Sequence, residues 1–197
     1  MKIIKQFGII FSLCWISVIL EKYIPFPIPA TVIGLILLFI CLLTGILKIE
    51  NIKEKSEHRL ELFLSHQGIE YIDDSKATNI HSVIKAIDNI KGNIVLLLGG
   101  QNKRLSFKTF AENLPDRVTT IVLFGECGKQ LSKLLKKYNK NCIYFKTLQL
   151  ATEYALSIAS KGDSVLLSPA CASFDEFSSY AERGDVFKNI VLSRLKG

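Results

Sequence analysis

The sequence lacks the patterns that would indicate a disulfide-stabilised protein or a zinc site. Its cysteines are odd in number, widely spaced and never arranged as C-x-x-C: Cys14, Cys41, Cys127, Cys142 and Cys171. The three histidines are His58, His66 and His81, and they form no metal-ligand motif. We therefore expect neither a disulfide framework nor a metal centre built from these residues.

A phosphate-binding loop of the form G-x-x-x-x-G-K-[ST] is also absent from the 197 residues. The nearest run is Gly125–Gln130, but Leu123 stands where the first glycine belongs, and Gln130 replaces the serine or threonine. This run is better interpreted as a strand end that enters a helix. We expect no triphosphate cradle and no evident magnesium site in this chain.

The net charge of +7 does not by itself indicate a nucleic-acid-binding protein. The lysines are scattered, and no basic-aromatic pattern of an RNA-binding or DNA-binding module occurs. We expect a solvated basic surface and no nucleic-acid partner. Charge is nearly missing from the first 47 residues, whereas the remainder has the composition of a soluble protein.

Two uncharged apolar runs predict a transmembrane helical hairpin in residues 1–50. Ala30–Leu47 has 18 residues, twelve of which are Val, Ile, Leu or Phe, and such a run favours insertion into a bilayer. Phe7–Leu20 is shorter, but its flanking lysines can snorkel to the interface. We predict spans at about residues 7–22 and 30–47, separated by a turn with three prolines.

The lysines that flank this hairpin predict its orientation. Lys2 and Lys5 precede it and Lys48 follows it, so both ends should face the cytoplasm. The expected location is the cell membrane, with the lipid bilayer as a partner and the soluble domain in the cytoplasm. A cleaved signal peptide is the main alternative for the first run, but no small-x-small cleavage site follows it.

Part of the hairpin resembles a known family of small membrane proteins. Pro27–Gly34 and Gly45–Glu50 are similar to the start of the holin-like CidA/LrgA family. The resemblance covers the first half of such a protein and ends before its later spans. Residues 51–56 then form a short charged linker.

From residue 57 onward, short apolar strands alternate with helical patterns. Leu60–Leu64 and Gly68–Asp73 predict a hairpin. The further strand candidates are Ile94–Leu98, Thr120–Phe124, Cys142–Phe145 and Ser164–Leu167. The helical patterns are Ile80–Ile90, Phe107–Leu114, Gly128–Tyr138, Leu148–Ser160 and Val186–Leu195, the last with Asp185 as its cap. This alternation predicts an α/β fold with a doubly wound, mostly parallel sheet.

Polar side chains follow three of the predicted strands. The turn Asp74–Asn79 follows the first of them, and two further loops carry Lys103 and Ser173. Ligands bind beyond the carboxyl ends of parallel strands, so these loops should form one rim. The alternative is a purely structural turn in which Thr78 or Asn79 caps the next helix.

These segments together resemble the C-terminal domain of the Mur ligases. The matching motifs are, in chain order, His58–Glu61, Asp74–Asn79 (DSKATN), Leu96–Gly100 with Lys103, Leu166–Asp175 and Tyr180–Gly184. The resemblance covers roughly residues 57–197 and implies a Rossmann-like fold. Within the family, the set is most similar to the enzymes that add D-glutamate to the peptidoglycan precursor.

The resemblance also implies site residues. Those that match D-glutamate-binding positions are Thr78, Lys103, Ser173, Phe174 and Tyr180. Those that match ATP-binding positions are Arg59, Asp74 and Lys76. The chemistry fits, because an ammonium and hydroxyl or backbone N–H donors suit a dicarboxylate, and a guanidinium suits phosphate. ATP and magnesium are implied as co-substrates of the family.

Four functional interpretations stay open at this point. In the first, the chain is a ligase domain, inactive alone because the UDP-sugar and central ATPase domains are missing, or active with those domains supplied in trans. In the second, it is a membrane-tethered module that binds D-glutamate or a nucleotide without turnover. In the third, the hairpin is the functional part of the chain, as a holin-like membrane fragment. Finally, two unrelated pieces are joined near Asn51, where each resemblance is incomplete.

Overall fold

The computed structural model describes residues 12, 14–21, 23, 29–43, 57–101 and 106–196. The chain divides into two compact units, Met1–Lys55 and Ser56–Gly197. Lys103 falls in the interval 102–105 and therefore lies outside the described residues.

The N-terminal unit contains helical residues at 14–21 and a helix α1 at Ala30–Leu43. Ser17 and Ile33 are its buried residues, and Gly34 lies close to Ser17. Helix α1 has 14 residues, and no helix in the described part of the chain is long and apolar enough to cross a bilayer. The predicted spans 7–22 and 30–47 include residues outside that part and stay predictions.

The second unit is built on one six-stranded sheet with helices on both faces. Its strands are β1 (Glu61–His66), β2 (Ile69–Asp73), β3 (Asn93–Gly99), β4 (Val118–Phe124), β5 (Cys142–Tyr144) and β6 (Asp163–Ala170). Its helices are α2 (Ile80–Asn89), α3 (Lys108–Glu112), α4 (Gly125–Lys137), α5 (Leu148–Ile158) and α6 (Tyr180–Lys196). The strand order is β1-β2-β6-β3-β4-β5, and only β1 runs antiparallel to its neighbour. The predicted α/β fold with a mostly parallel sheet is confirmed.

The apolar strands explain why this sheet is covered on both faces. Strands β3, β4 and β6 read as nearly continuous hydrophobic runs, which is typical of parallel strands buried on both sides. Residues of α2, α3 and α4 share one buried cluster with the sheet, and residues of α5 and α6 share another. The sheet is therefore a rigid middle layer, and its loops carry the polar chemistry.

Two helix starts differ from the sequence prediction by more than one residue. Helix α6 begins at Tyr180, so Asp185 lies inside it and is not its cap. The capping residue is Ser179, whose hydroxyl accepts the backbone N–H of Glu182 at 3.1 Å. Helix α4 begins at Gly125, three residues before the predicted start. Both predictions failed because polar first turns do not show the apolar periodicity of the later turns.

Candidate functional site

Three loops meet at the carboxyl edge of the sheet. We call them the β2 loop (Asp74–Asn79), the β3 loop (Gly99–Gln101, its described part) and the β6 loop (Cys171–Ser179). The backbones of Gln101 and Ala172 exchange two hydrogen bonds, at 2.9 and 3.1 Å. The backbone N–H of Asp74 donates to the carbonyl of Leu167 in β6, at 2.8 Å. The predicted convergence is therefore found for the described parts of all three loops.

The guanidinium of Arg183, in the first turn of α6, connects two of these loops, the β2 and β6 loops. It is fully buried, with 0% of its surface exposed. Its Nε donates to the Ser75 hydroxyl at 2.9 Å, and its two terminal nitrogens donate to the carbonyls of Ser75 and Cys171 at 2.8 and 3.1 Å. Burial lowers the pKa of Arg183 to about 10, so the side chain stays cationic at neutral pH.

Gly100 allows the β3 loop to approach the β6 loop closely. Its φ is +118°, in the region that disfavours side chains, and a Cβ placed there would lie 2.3 Å from the Ala172 carbonyl oxygen. The same Cβ would lie 3.0 Å from a terminal nitrogen of Arg183. A residue with a side chain at position 100 would separate the loops, which is the physical reason for glycine there.

Asp74, which is assigned to ATP by resemblance, is 4% exposed and held by two donors. The Ser168 hydroxyl donates to one carboxylate oxygen at 2.7 Å, and the backbone N–H of Leu60 donates to the other at 3.1 Å. Burial raises the pKa of Asp74 to about 6, against these two hydrogen bonds and the charge of Arg59, which lower it. The side chain therefore titrates close to neutral pH.

This shifted pKa predicts a pH-dependent effect of Asp74→Asn. The folded-state pKa lies above the usual 3.8, so the stability that Asp74 contributes is complete below pH 3.8 and is lost as the pH rises through 6. We expect the variant to gain about 2.5 kcal/mol in unfolding free energy relative to the wild type between pH 4 and pH 7.5. Urea titrations at several pH values measure this, and a pH-independent difference would contradict it. Ser168→Ala should move the transition to higher pH.

A second group of charges, of which His58 and Asp73 are buried, lies between β1, β2 and α6. The Nδ1 atom of His58 is 2.6 Å from the Asp73 carboxylate, and the ammonium of Lys188 is 3.3 Å from Glu61 and 3.9 Å from Asp73. Burial raises the pKa of Asp73, although His58, Ser75 and Lys188 oppose the shift. Gly184 makes room for the pair, since a Cβ there would lie 2.3 Å from His58 Nδ1.

The same group is the one set of metal-ligand side chains found in the described part of the chain. It does not fit magnesium, because that ion prefers an octahedron of oxygen ligands, whereas one ligand here is an imidazole. The Lys188 ammonium also already lies 3.3 Å from Glu61 and 3.9 Å from Asp73, where it would repel a metal cation. We therefore assign this cluster to folding.

Two of the remaining predicted site residues contact each other. The Nζ atom of Lys76 lies 5.5 Å from the centroid of the Tyr180 ring, in a cation–π contact. The hydroxyl of Ser75 donates to the Tyr180 carbonyl at 2.8 Å, which connects the β2 loop to the start of α6. Thr78 is half-buried in the same loop, and Asn79 is the residue that caps α2, through Ser82 N–H.

The other predicted site residues differ in their solvent exposure. Ser173 is buried at the β6 loop, and its carbonyl accepts the N–H groups of Glu176 and Phe177. Phe174 is 62% exposed, and Arg59 is also exposed. The structure thus brings Lys76 of the β2 loop next to Tyr180, and hydrogen bonds of Arg183 connect the β2 and β6 loops.

An open cleft of about 500 Å³ lies beside this rim, at the ends of β4 and β5. Two helix N-termini face it, and both are already occupied by carboxylates of the β6 loop. Asp175 accepts the N–H of Glu126 at 2.9 Å, and Glu176 accepts the N–H of Leu148 at 3.1 Å. These carboxylates take the positions where a phosphate would bind a helix N-terminus, so the cleft is unsuited to an anion.

Sequence reasoning missed the role of Arg183. The signal was present, because Arg183, Phe187 and Val191 follow one another at intervals of four, and all three are fully buried. A cation on the apolar stripe of a helix indicates a buried charge with partners elsewhere in the chain. The capping-box pattern Ser179-x-x-Glu182 was likewise visible and would have placed the start of α6 correctly.

Comparison with known families gives two matches. Residues 58–171 match the family described as Mur ligase, glutamate ligase domain. Residues 14–65 match the LrgA family. The first match covers more than half of the chain, and the two overlap at residues 58–65.

Curated relatives agree with the first match. The UDP-N-acetylmuramoylalanine–D-glutamate ligase of Chlamydia abortus is 44% identical over 138 residues, which are 70% of this chain and 33% of that protein. The enzyme of the same name from Pelotomaculum thermopropionicum is 41% identical over 141 residues, covering 71% and 31%. The chain therefore spans about a third of the length of the curated relatives it matches.

Solved structures share the fold. A UDP-N-acetylmuramate-alanine ligase from Thermotoga maritima superposes with a TM-score of 0.51 at 16% identity, over 85% of this chain and 39% of that one. A bifunctional folylpolyglutamate synthase/dihydrofolate synthase from Yersinia pestis, solved with AMPPNP and Mn, gives 0.50 at 18% identity, over 85% and 41%. At these identities the likeness concerns the fold alone.

Proposed function

The chain belongs to the family of Mur ligase glutamate ligase domains, and from this premise we propose that residues 57–197 are the glutamate-accepting domain of a UDP-N-acetylmuramoylalanine–D-glutamate ligase. The observation that carries the proposal is the three-loop rim, together with 44% identity to a ligase of that name. In this role the domain presents the amino acid whose nitrogen forms the new amide.

The proposed D-glutamate site has five residues: Thr78, Lys103, Ser173, Phe174 and Tyr180. Three of them, Lys103, Ser173 and Phe174, follow β3 and β6, whose loops are paired by backbone hydrogen bonds at Gln101 and Ala172. D-Glutamate has two carboxylates, so it needs a cation for one and hydroxyl or N–H donors for the other. Lys103 is the proposed cation, and Thr78, Ser173 and the Phe174 N–H are the proposed donors.

The proposed ATP contacts are Arg59, Asp74 and Lys76. Arg59 is exposed beside the buried Asp74, and its charge lowers the pKa of that carboxyl. A guanidinium there suits a phosphate, and a second lone pair of each Asp74 oxygen remains for a ribose hydroxyl. When bound, ATP with its magnesium supplies the phosphoryl group that activates the acceptor carboxylate. We propose that the UDP-sugar and ATPase parts of the reaction lie outside these 197 residues and reach this domain in trans.

This proposal predicts that the chain does not ligate by itself. Incubated with ATP, UDP-N-acetylmuramoylalanine and D-glutamate, it should release no phosphate above the blank. A chimera in which residues 57–197 replace the matched region of the Chlamydia abortus ligase should release phosphate in a D-glutamate-dependent manner. Release by the 197-residue chain would contradict the inactivity, and a folded but inactive chimera would contradict the assignment to D-glutamate ligation.

We propose further that residues 1–50 tether this domain to a membrane. The match of residues 14–65 to the LrgA family supports the tether, as do the exposed Leu35, Ile36 and Phe39 of α1. Under this proposal the domain lies on the cytoplasmic side. Alkaline extraction of isolated membranes tests it: the tethered chain stays in the pellet, whereas release into the supernatant would contradict the tether.

A further inference from the structure

We propose that Arg183 is a positioning residue that sets the separation of the β2 and β6 loops, and so the span of the D-glutamate site. The inference rests on the proposed function. Arg183 has no exposed surface with which to contact a ligand. Its role in ligand affinity is therefore indirect, through the position of the two loops.

The guanidinium of Arg183 connects the two loops by its geometry. Its planar fork reaches three acceptors at once: the Ser75 hydroxyl at 2.9 Å, the Ser75 carbonyl at 2.8 Å and the Cys171 carbonyl at 3.1 Å. Only arginine has donors arranged in such a rigid fork. The two loops therefore cannot move apart without breaking hydrogen bonds in a site that water does not reach.

The acceptors of Arg183 lie next to residues of the proposed D-glutamate site. Ser75 lies three residues before Thr78, and Cys171 lies two residues before Ser173, so each bonded carbonyl is close to a proposed ligand donor. The Ser75 hydroxyl, held by Arg183, donates in turn to the Tyr180 carbonyl at 2.8 Å. One guanidinium thus fixes the backbone next to three of the proposed contacts.

Burial of the Arg183 cation has a cost in folding free energy. Arg183 is fully buried, and its hydrogen bonds in the described part of the chain go to neutral oxygens only. Burying a cation without a carboxylate partner at hydrogen-bond distance is unfavourable, and a well-packed apolar side chain often does as well for stability. What the arginine adds is a fixed separation of the two loops, which holds the proposed carboxylate donors at one distance from each other.

Calorimetric titration of D-glutamate into the full chain tests the inference. Arg183→Lys keeps the charge but loses the fork, and Ser75→Ala removes the hydroxyl that joins Arg183 to Tyr180. Arg194→Lys is the matched control, since Arg194 is an exposed arginine of the same helix. Titrations at 10 °C, with folding checked by circular dichroism, separate loop position from global unfolding.

We expect the Kd for D-glutamate to rise about 10-fold or more in Arg183→Lys and Ser75→Ala, and to stay within about two-fold in the control. Folded variants with the wild-type Kd would overturn the inference and leave the proposed function standing. Absence of binding by the wild type would overturn the proposed function, and the inference with it. If both variants are unfolded at 10 °C, Arg183 serves folding rather than position, and the inference is also overturned.

Discussion

Gly100→Ala should destabilise the second unit by roughly 3 kcal/mol or more. Two costs add at this position. The φ of +118° strains any residue with a Cβ, and the added carbon would lie 2.3 Å from the Ala172 carbonyl oxygen. Since that oxygen belongs to the backbone that pairs with Gln101, relief of the clash requires the two loops to separate. Urea unfolding followed by circular dichroism measures the effect, because the single tryptophan, Trp15, lies in the other unit.

Gly162→Ala is the matched control for this prediction. Gly162 also has a positive φ, +96°, but a Cβ there would meet no atom within 4 Å. Its substitution therefore includes the backbone strain alone, about 1–2 kcal/mol. Equal destabilisation by the two variants would show that the close approach of the loops contributes nothing, and would contradict the geometry described for the rim.

Lys103→Ala should raise the KM of the chimera for D-glutamate by about 10- to 100-fold. The expected size follows from a charge-assisted hydrogen bond, worth about 1.5–3 kcal/mol, and from the factor of ten that 1.4 kcal/mol represents. The KM for ATP should change much less, because Lys103 is assigned to the amino acid side of the reaction. Steady-state phosphate release at varied D-glutamate measures both quantities.

Lys108→Ala provides the comparison. Lys108 lies on α3 five residues further along, and its side chain is exposed and 4.0 Å from Glu112. Removing it changes the net charge of the chain by the same amount without removing a proposed ligand. If both variants raise the KM equally, the effect of Lys103 is general electrostatic attraction, and its assignment as a specific carboxylate partner is wrong.

The parts of the fold that follow from local pattern were predictable. Strands β3, β4 and β6 are apolar runs between turn residues, and the hairpin predicted from Leu60–Leu64 and Gly68–Asp73 is present, with its turn at Gln67 and Gly68. Helix α2 shows clear helical periodicity and begins at Ile80, as predicted. In each case the residues that decide the structure are neighbours in the sequence, so their spacing is informative.

The arrangement beneath the rim was not predictable in the same way. Arg183 and Ser75 are 108 residues apart in sequence, and their contact depends on β2 and β6 being adjacent strands. The strand order placed β6 between β2 and β3, which no local pattern specifies. The raised pKa of Asp74 likewise results from burial by distant segments. The proposed site residues were identified from the resemblance to the Mur ligases. The hydrogen bonds that hold their loops together are visible only in the structure.

The central claim is that three loops, distant in sequence, form one dicarboxylate site at the carboxyl edge of the sheet. Titration of D-glutamate into the isotopically labelled chain, followed through its backbone amide resonances, tests this most directly. The account predicts that the amides of Thr78, Gln101 and Ser173 shift together with a single Kd, whereas Gly68 and Gly162, which are hydrogen-bonded at the opposite edge, do not move. Shifts confined to one loop, or different Kd values for the three loops, would contradict it.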